Sequence, residues 1–528
     1  MEWNEELGFE AAISRQLVLG EMLARNARKY PDREAIIIKD RRVRFKELDE
    51  RVNRLANALV AKGIKKGDKI GILMTNRIEL LEVVFAAAKL GAVNVPLNIR
   101  LSPPEIGYIL TNCDAKILFF GENFAETVTK FKEGVPLIEN FIVTGKAAGD
   151  FQDYENFLSA GDAAAPRIML SDEEDAFIVY TSGTTGKPKG ARLSHKNIVI
   201  ESMTTYMDSV LSVPRREGLP HIPSKSLSIA PLFHIGGLVS AIKTMIAVVP
   251  MVVMEFEPLQ VIKTIDEEKI TFIFLVPAMW KMLIEHPDFK KYDVSSLRVA
   301  ANGAAPMPAD LKQRVLEAFP NAGYQDSFGQ TEMSATAIQI TQTHAPKKEG
   351  SVGIPFTNVE VRLVDHKMND VPVNEVGEIV YRGPIMFNGY YKNPEATKEA
   401  FEGGWFHSGD MARRDEDGFI YLVDRKKDMI ITGGENVYSA EVESVLNTHP
   451  DISETAVVGV PDPKWGETVK AFVVLQPGKS LTAEEIIEFC NERMARYKRP
   501  KLIEFIPALP RNAAGKVLKK ELRGVGNS

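Results

Sequence analysis

From Glu34 onward, short β-branched runs alternate with segments whose apolar residues recur every third or fourth place, and this alternation limits the fold more than any other feature. EAIII (34–38), KIGILM (69–74), AKILFF (115–120), AFIVY (176–180), TFIFLV (271–276) and LRVAANG (297–303) read as strands. FKELDERVNRLANALVAKG (45–63) and ELLEVVFAAAKLG (79–91) read as amphipathic helices, each stopped by a glycine. Strand and helix in alternation predict α/β layering with largely parallel sheets.

The texture changes after about Gly350. VEVRLVD, GEIVYRG and GFIYLVD are strands separated by turns rich in Gly, Asn and Asp, which predicts a β-rich subdomain over about 350–424. The charged stretch DRKKD (424–428) then precedes a tail with a helix (SAEVESVLNTHP), strands (TAVVGV, VKAFVVL) and a second helix (AEEIIEFCNERMARY). The expected organisation is a large N-terminal α/β domain over 1–424 and a small α+β C-terminal domain over 425–528, with the border near Arg425.

With 528 residues, 45% hydrophobic and 26% charged, the chain is long enough for several domains and a large core. A net charge of −6 gives no sign of nucleic acid or an anionic membrane as main partner. Cys113 and Cys490 are the only cysteines, too few for a disulfide framework or a metal site, which fits a reducing, cytoplasmic setting. The N-terminal MEWNEELGFE lacks a signal-peptide layout, and the C-terminal GVGNS is not a peroxisomal address. The apolar run TMIAVVPMVVM (244–254) is about half the length of a spanning helix and reads as a buried strand.

The loop YTSGTTGKPKG (180–190) follows the AFIVY strand and is expected to lie ahead of a helix from Ser194 to about Asp208. Its glycines let backbone N–H groups turn toward an anion, its hydroxyls add donors, and Lys187 and Lys189 add charge. The loop is not a P-loop. That motif needs a glycine five places before Gly186, where Thr181 stands, and a hydroxyl after its lysine, where Pro188 stands.

This loop resembles the signature of adenylate-forming enzymes, the superfamily of acyl-CoA synthetases, aryl-CoA ligases, adenylation domains and luciferases. The resemblance spans nearly the whole chain, because six further motifs follow in order: APLFHIGG (230–237), NGAAP (302–306), FGQTE (328–332), WFHSGD (405–410), DRKKDMIITGGENVYSAEVE (424–443) and PRNAAGK (510–516). It implies ATP, Mg2+ and coenzyme A. A carboxylate attacks the α-phosphate to give acyl-AMP and pyrophosphate, and a thiol then displaces AMP. Neither step needs a covalent protein nucleophile, so positioning and charge neutralisation carry the catalysis.

The resemblance assigns roles residue by residue. Thr181, Ser182, Gly183, Thr184, Thr185, Gly186 and Lys187 would hold the departing pyrophosphate. Thr331 would touch the α-phosphate and Glu332 would bind magnesium. Gly303, Ala304, Ala305 and Pro306 would form one wall for adenine and Phe328, with Gly329, the other; the family often has tyrosine at position 328. Asp410 would accept the ribose hydroxyls, joined by Arg425. His234 would gate the passage between nucleotide and acid. Lys516 would bridge the attacking carboxylate and the α-phosphate. Lys427 matches a hinge about which the small domain turns between the two reactions. Gly433 and Gly434 match the loop lining the thiol channel, and Asn436 a polar residue near the nucleotide.

Candidate lining of the acid site is Ile235, Gly236, Leu238, Val239, Asn302, Asp326, Ser327, Met333, Ser334 and Ala335, besides His234 and Gly329. None is a lysine or arginine, which argues against a dicarboxylic acid. The expected substrate is a medium- or long-chain fatty acid, with an aryl or hydroxycinnamic acid as the alternative. An adenylation enzyme that loads a separate carrier protein, a luciferase-like oxygenase and a catalytically silent relative are the competing functions. The family also suggests a homodimer.

Overall fold

The strands read at 34–38, 69–74 and 115–120 form as Glu34–Ile38, Lys69–Leu73 and Ala115–Gly121, and the helices between them as Phe45–Ala61 and Ile78–Leu90. A computed structural model describes residues 8–146, 149–181, 188–212, 222–341, 343–433, 435–491, 493–511 and 517–524. Two compact units emerge, one comprising 1–360 with 382–401 and the other 361–381 with 402–528. Among the described residues, no helix is long and apolar enough to cross a membrane.

The first unit is built on two sheets of the expected kind. One runs in the order Gln152–Asp153, Asn140–Thr144, Ala115–Gly121, Lys69–Leu73, Val93–Pro96, Asp175–Thr181 and Lys189–Ser194, parallel except for its last pair. In the other, the inner strands Gly323–Phe328, Val299–Gly303, Phe272–Leu275, Ser226–Ser228, Met251–Val253 and Glu34–Ile38 are parallel, and antiparallel strands flank them. Parallel strands need crossover helices, and these cover the faces. One face of the second sheet packs Ile273, Leu275 and Ala300 against Trp280, Val315 and Phe319. Asn76 ties the two sheets: its side chain donates to Ile229 O at 3.0 Å and accepts from Leu232 N at 2.8 Å.

Three details depart from expectation. The strand Asp175–Thr181 does not lead through the glycine loop into a helix. Residues 189–194 return as an antiparallel partner, with Thr181 opposite Lys189, and the helix His195–Ser212 follows that hairpin. The apolar run at 244–254 is the end of helix Ile235–Ile246 followed by the short strand Met251–Val253. Pro250, which lacks an N–H, and Val248 at φ 57° break it in two. The last expected helix is Ala483–Asn491, beyond which Arg499 satisfies the carbonyls of Asn491 and Met494 at 2.7 and 3.0 Å.

The second unit holds an antiparallel sheet of Glu360–Val364, Val376–Arg382, Phe406–Arg414 and Ile420–Arg425, the β-rich texture read after Gly350. A further sheet centres on the long hairpin of Ile452–Asp462 and Gly466–Leu475. Asp424 accepts from Ser439 Oγ at 2.8 Å and from Ala440 N at 3.2 Å, fixing the start of helix Ser439–Leu446 against the end of the first sheet.

Candidate active site

The strands Asp175–Thr181 and Lys189–Ser194, which flank the glycine-rich segment 182–187 in sequence, pair as an antiparallel hairpin. Thr181 Oγ1 donates to Lys189 O at 3.4 Å and closes the stem. Ser182, Gly183, Thr184, Thr185, Gly186 and Lys187 lie outside the described residues. The outer strand of the hairpin gains a third partner from far along the chain: Arg192 N donates to Gly389 O at 3.0 Å and Tyr391 N to Gly190 O at 2.8 Å. This fixes Tyr390, whose ring lies 5.2 Å from Lys189 Nζ.

The Tyr390 hydroxyl donates to Glu332 Oε1 at 2.8 Å. Glu332 is 8% exposed and sits in the 3-10 turn Thr331–Met333, directly after the strand Gly323–Phe328. Its carbonyl accepts from Phe387 N at 2.9 Å. Ser334 takes φ 56° to end the turn, and its hydroxyl donates to Ile385 O at 2.8 Å. The turn is tight enough that a Cβ at Gly329 would lie 2.2 Å from Ala335 O, so only glycine fits there. Thr331 and Glu332 therefore lie in a braced turn of the unit that also carries the stem of the glycine-rich loop.

Among the described residues no cluster of three or more His, Cys, Asp or Glu could hold a metal. A single braced carboxylate is nevertheless the donor set magnesium takes when its other ligands are phosphate oxygens and waters, so Glu332 fits that ion. Bound there, magnesium would neutralise charge on the triphosphate.

Gly303 ends the strand Val299–Gly303, and Ala304, at φ 65°, turns the chain out of the sheet. Ala304, Ala305 and Pro306 are exposed and small, open to a flat base, and Phe328 at the end of the neighbouring strand is half-buried.

His234 caps the helix Ile235–Ile246, its Nδ1 accepting from Gly236 N at 3.4 Å. Surrounding protein lowers its pKa, so the ring is neutral near pH 7, although the residue keeps accessible surface. Beyond it, Ile235, Leu238 and Val239 are buried, whereas Gly236, Ser240 and Lys243 form a partly open stripe at helical spacing. Of the other lining candidates, Met333 and Ser334 are buried in the Glu332 turn, and Ala335 and Ser327 keep some surface. Asn302 and Asp326 bond each other at 3.0 Å, and Asp326 also accepts from Tyr324 at 2.8 Å. Both lie on the strand face shared with Ala300, which packs into the apolar core.

In the second unit, Asp410 and Arg425 are cross-strand partners with Nε–Oδ1 at 2.7 Å. Asp410 is 5% exposed, and its N–H donates to Ser408 Oγ. The carbonyl of Lys427 accepts from Arg523 at 3.1 Å, and Arg523 also pairs with Asp428. Gly433 takes φ 61°, and a Cβ there would meet the Trp465 ring at 2.8 Å. Asn436 is exposed and lies opposite Ile431 in a short hairpin. Lys516 and Gly434 lie outside the described residues. Arg511 and Val517, on either side of residues 512–516, form an antiparallel bridge.

Sequence reasoning missed three residues. Tyr390 is 58 positions from Glu332, and only the strand-like pairing of 389–391 with 190–192 brings them together. Lys243, directly before the apolar run at 244–254, is not among the sequence candidates. Its spacing of seven from Gly236 on one helix was the available signal. Glu201, a lone acid within the otherwise uncharged stretch IVIESM of helix His195–Ser212, is 2% exposed.

Comparison with known proteins agrees with these features. A family profile described as AMP-binding enzyme matches residues 23–391, and one described as AMP-binding enzyme C-terminal domain matches 441–516. The chain is 38% identical to a feruloyl-CoA synthase of Amycolatopsis sp over 96% of its length and 98% of the relative. It is 35% identical to the long-chain-fatty-acid–CoA ligase FadD13 of Mycobacterium tuberculosis, with the same coverage. The o-succinylbenzoate coenzyme A synthetase of Bacillus subtilis in complex with ATP and magnesium superposes with a TM-score of 0.82 at 30% identity, covering 95% of this chain and 99% of that one. The chain therefore belongs to the AMP-binding enzyme family and is an AMP-forming acid–CoA ligase that uses ATP, Mg2+ and coenzyme A.

Proposed function

We propose that this ligase activates a monocarboxylic acid with a hydrophobic body, held between the helix Ile235–Ile246 and the sheet strand Phe272–Leu275. The observation that carries the reading is the stripe of Gly236, Ser240 and Lys243, which starts beside His234 and ends with Lys243 Nζ 4.8 Å from the Phe272 ring centroid. The sequence leans to a medium- or long-chain fatty acid. A methylene chain leaves Ser240 and Lys243 without partners, so this wall supports the aryl alternative better. The named activities of the relatives span both classes.

In this reading the loop 181–187 holds the β- and γ-phosphates and Thr331 contacts the α-phosphate. Glu332 holds magnesium, with Tyr390 fixing its orientation. Residues 303–306 and Phe328, with Gly329, enclose adenine, and His234 separates the nucleotide from the acid. Asp410 and Arg425 bind the ribose. Lys516 places its ammonium where carboxylate and phosphate meet, because negative charge concentrates there as the new bond forms. The segment 425–528 then turns about Lys427, withdrawing Lys516 and bringing Gly433, Gly434 and Asn436 to the thiol channel. Two positions suit two reactions with opposite needs, one for a cation at the anhydride and one for an open path to it.

We also place the enzyme in the cytoplasm, working without nucleic acid and assembling as a homodimer. Both cysteines are buried thiols, and burial pushes Cys113 up to about 12, so neither is poised for a disulfide. Light scattering tests the dimer. For the activity, a panel of fatty and aryl acids is incubated with ATP and Mg2+, with and without CoA. Acid-dependent pyrophosphate release and CoA-dependent AMP release are expected. AMP release only with an added carrier protein would replace CoA as the acceptor, and no turnover with any acid would overturn the reading.

A further inference from the structure

The hinge proposed at Lys427 lies between two anchors, both inside the second unit. On the side of the antiparallel sheet, Lys426 N donates to Gly409 O at 2.9 Å, and Lys426 Nζ pairs with Glu378 at 2.8 Å. Glu378 is buried and also accepts from Gly409 N at 3.2 Å, with His407 Nδ1 3.1 Å away. On the side of the tail, Arg523 Nη2 donates to Lys427 O and to Asp428 Oδ1, each at 3.1 Å. Asp428 is buried, so its carboxylate depends on that guanidinium, whereas Lys427 itself is exposed.

The bond to Lys427 O grips the hinge's own peptide from 96 residues along the chain. The carbonyl of Lys427, the N–H of Asp428 and both Cα atoms form one rigid plane. Held through its oxygen and through the Asp428 side chain, that plane is fixed to the last helix, Lys519–Gly524. Lys426 N is fixed to the sheet in the same way. The bonds left to turn are the φ and ψ of Lys426 and Lys427. Asp428 N and Met429 N donate to Arg425 O across them, at 2.9 and 3.1 Å, and a large turn there breaks both.

The last helix does not need Arg523 to dock. Leu522 is buried in a small core with Ala456, Val458, Phe472 and Leu509. Lys519 Nζ donates to Ser439 Oγ at 2.6 Å and pairs with Glu443 at 2.7 Å. Just before the helix, Leu518 N donates to Pro510 O at 2.8 Å. Arg523 gives this anchored helix a link to the hinge.

We propose that Arg523 is a positioning residue for adenylation: it couples the hinge peptide to the tail, so that the angles at Lys426 and Lys427 set where the tail stands. This rests on the proposed roles of Lys427 as hinge and of Lys516, the residue before Val517, as the cation of the first reaction. Without the link, the 427–428 peptide plane rocks against the helix, and the cation's place is less defined in the reaction that needs it. The second reaction, which needs the cation withdrawn, is spared.

The test measures the two half-reactions separately in the wild type, Lys516→Ala, Arg523→Gln and Arg523→Gln/Asp428→Asn. The first is pyrophosphate exchange into ATP with octanoic or cinnamic acid and no CoA. The second is CoA thioester formation from preformed octanoyl or cinnamoyl adenylate. Arg523→Gln should lower the first by about tenfold to a hundredfold, the scale of a misplaced group, and leave the second nearly unchanged. The double variant leaves no unpaired buried charge, so it separates a lost link from a misfolded tail, and it should show the same selective loss. Equal losses in both half-reactions of the double variant, or no loss in the first, would overturn this inference and leave the ligase reading intact. No exchange in the wild type, or normal exchange in Lys516→Ala, would overturn that reading and this inference with it.

Discussion

The Tyr390 hydroxyl donates to Glu332 Oε1 at 2.8 Å, and Tyr390 is itself held against the stem of the glycine-rich hairpin. One tyrosine thus links the stem of the proposed phosphate-binding loop to the carboxylate proposed to hold magnesium. Removing its hydroxyl leaves a buried acid with one donor fewer, and hydrogen bonds to charged groups contribute about 1.5–3 kcal/mol. Tyr390→Phe should lower kcat/KM for ATP by about tenfold to a hundredfold and raise the Mg2+ concentration needed for half-maximal rate. Steady-state kinetics over a magnesium titration check both, and an unchanged magnesium requirement would detach Tyr390 from the metal.

Asp410 is buried and relies on Arg425 at 2.7 Å. Asp410→Ala removes the proposed ribose acceptor and leaves the guanidinium without its carboxylate. The expected result is a loss of about a hundredfold or more in AMP affinity, the scale seen when one member of a buried charged pair is truncated. Calorimetric titration with AMP, which needs no turnover, measures it.

Gly329 approaches Ala335 O so closely that a Cβ would sit 2.2 Å away. Gly329→Ala must push the turn 331–333 outward. Because Glu332 and Thr331 ride on that turn, pyrophosphate release should fall by more than tenfold, and the denaturant midpoint should drop as well.

His195 is buried with Nε2 unpartnered, and desolvation lowers its pKa from the ordinary 6.5 to about 4. The folded protein therefore resists a proton that the unfolded chain accepts. The resulting stability is complete above pH 6.5 and is lost as pH falls toward 4, amounting to about 2 kcal/mol at pH 5. Urea unfolding at pH 7 and pH 5 should show that loss, and His195→Gln should remove this part of it.

The sequence made the layered sheets legible because each strand and helix carries its own periodicity. The lining of the site was less legible for a physical reason. Thr331 and Glu332 are adjacent and sit in a motif, whereas Tyr390 reaches Glu332 only through pairing between segments about 200 residues apart. Lys243 directly precedes the run at 244–254, where a helix ending at Ile246 and a strand starting at Met251 read as one apolar stretch. The hairpin at 175–194 was hidden likewise, since its return strand KGARLS lacks a β-branched residue.

The central claim is that a mixed anhydride with AMP forms before any thiol arrives. Exchange of labelled pyrophosphate into ATP, measured with acid and Mg2+ but without CoA, tests it most directly. The account predicts exchange that depends on the acid and is nearly abolished in Lys516→Ala. CoA ligation proceeding normally in an enzyme that shows no such exchange would contradict it.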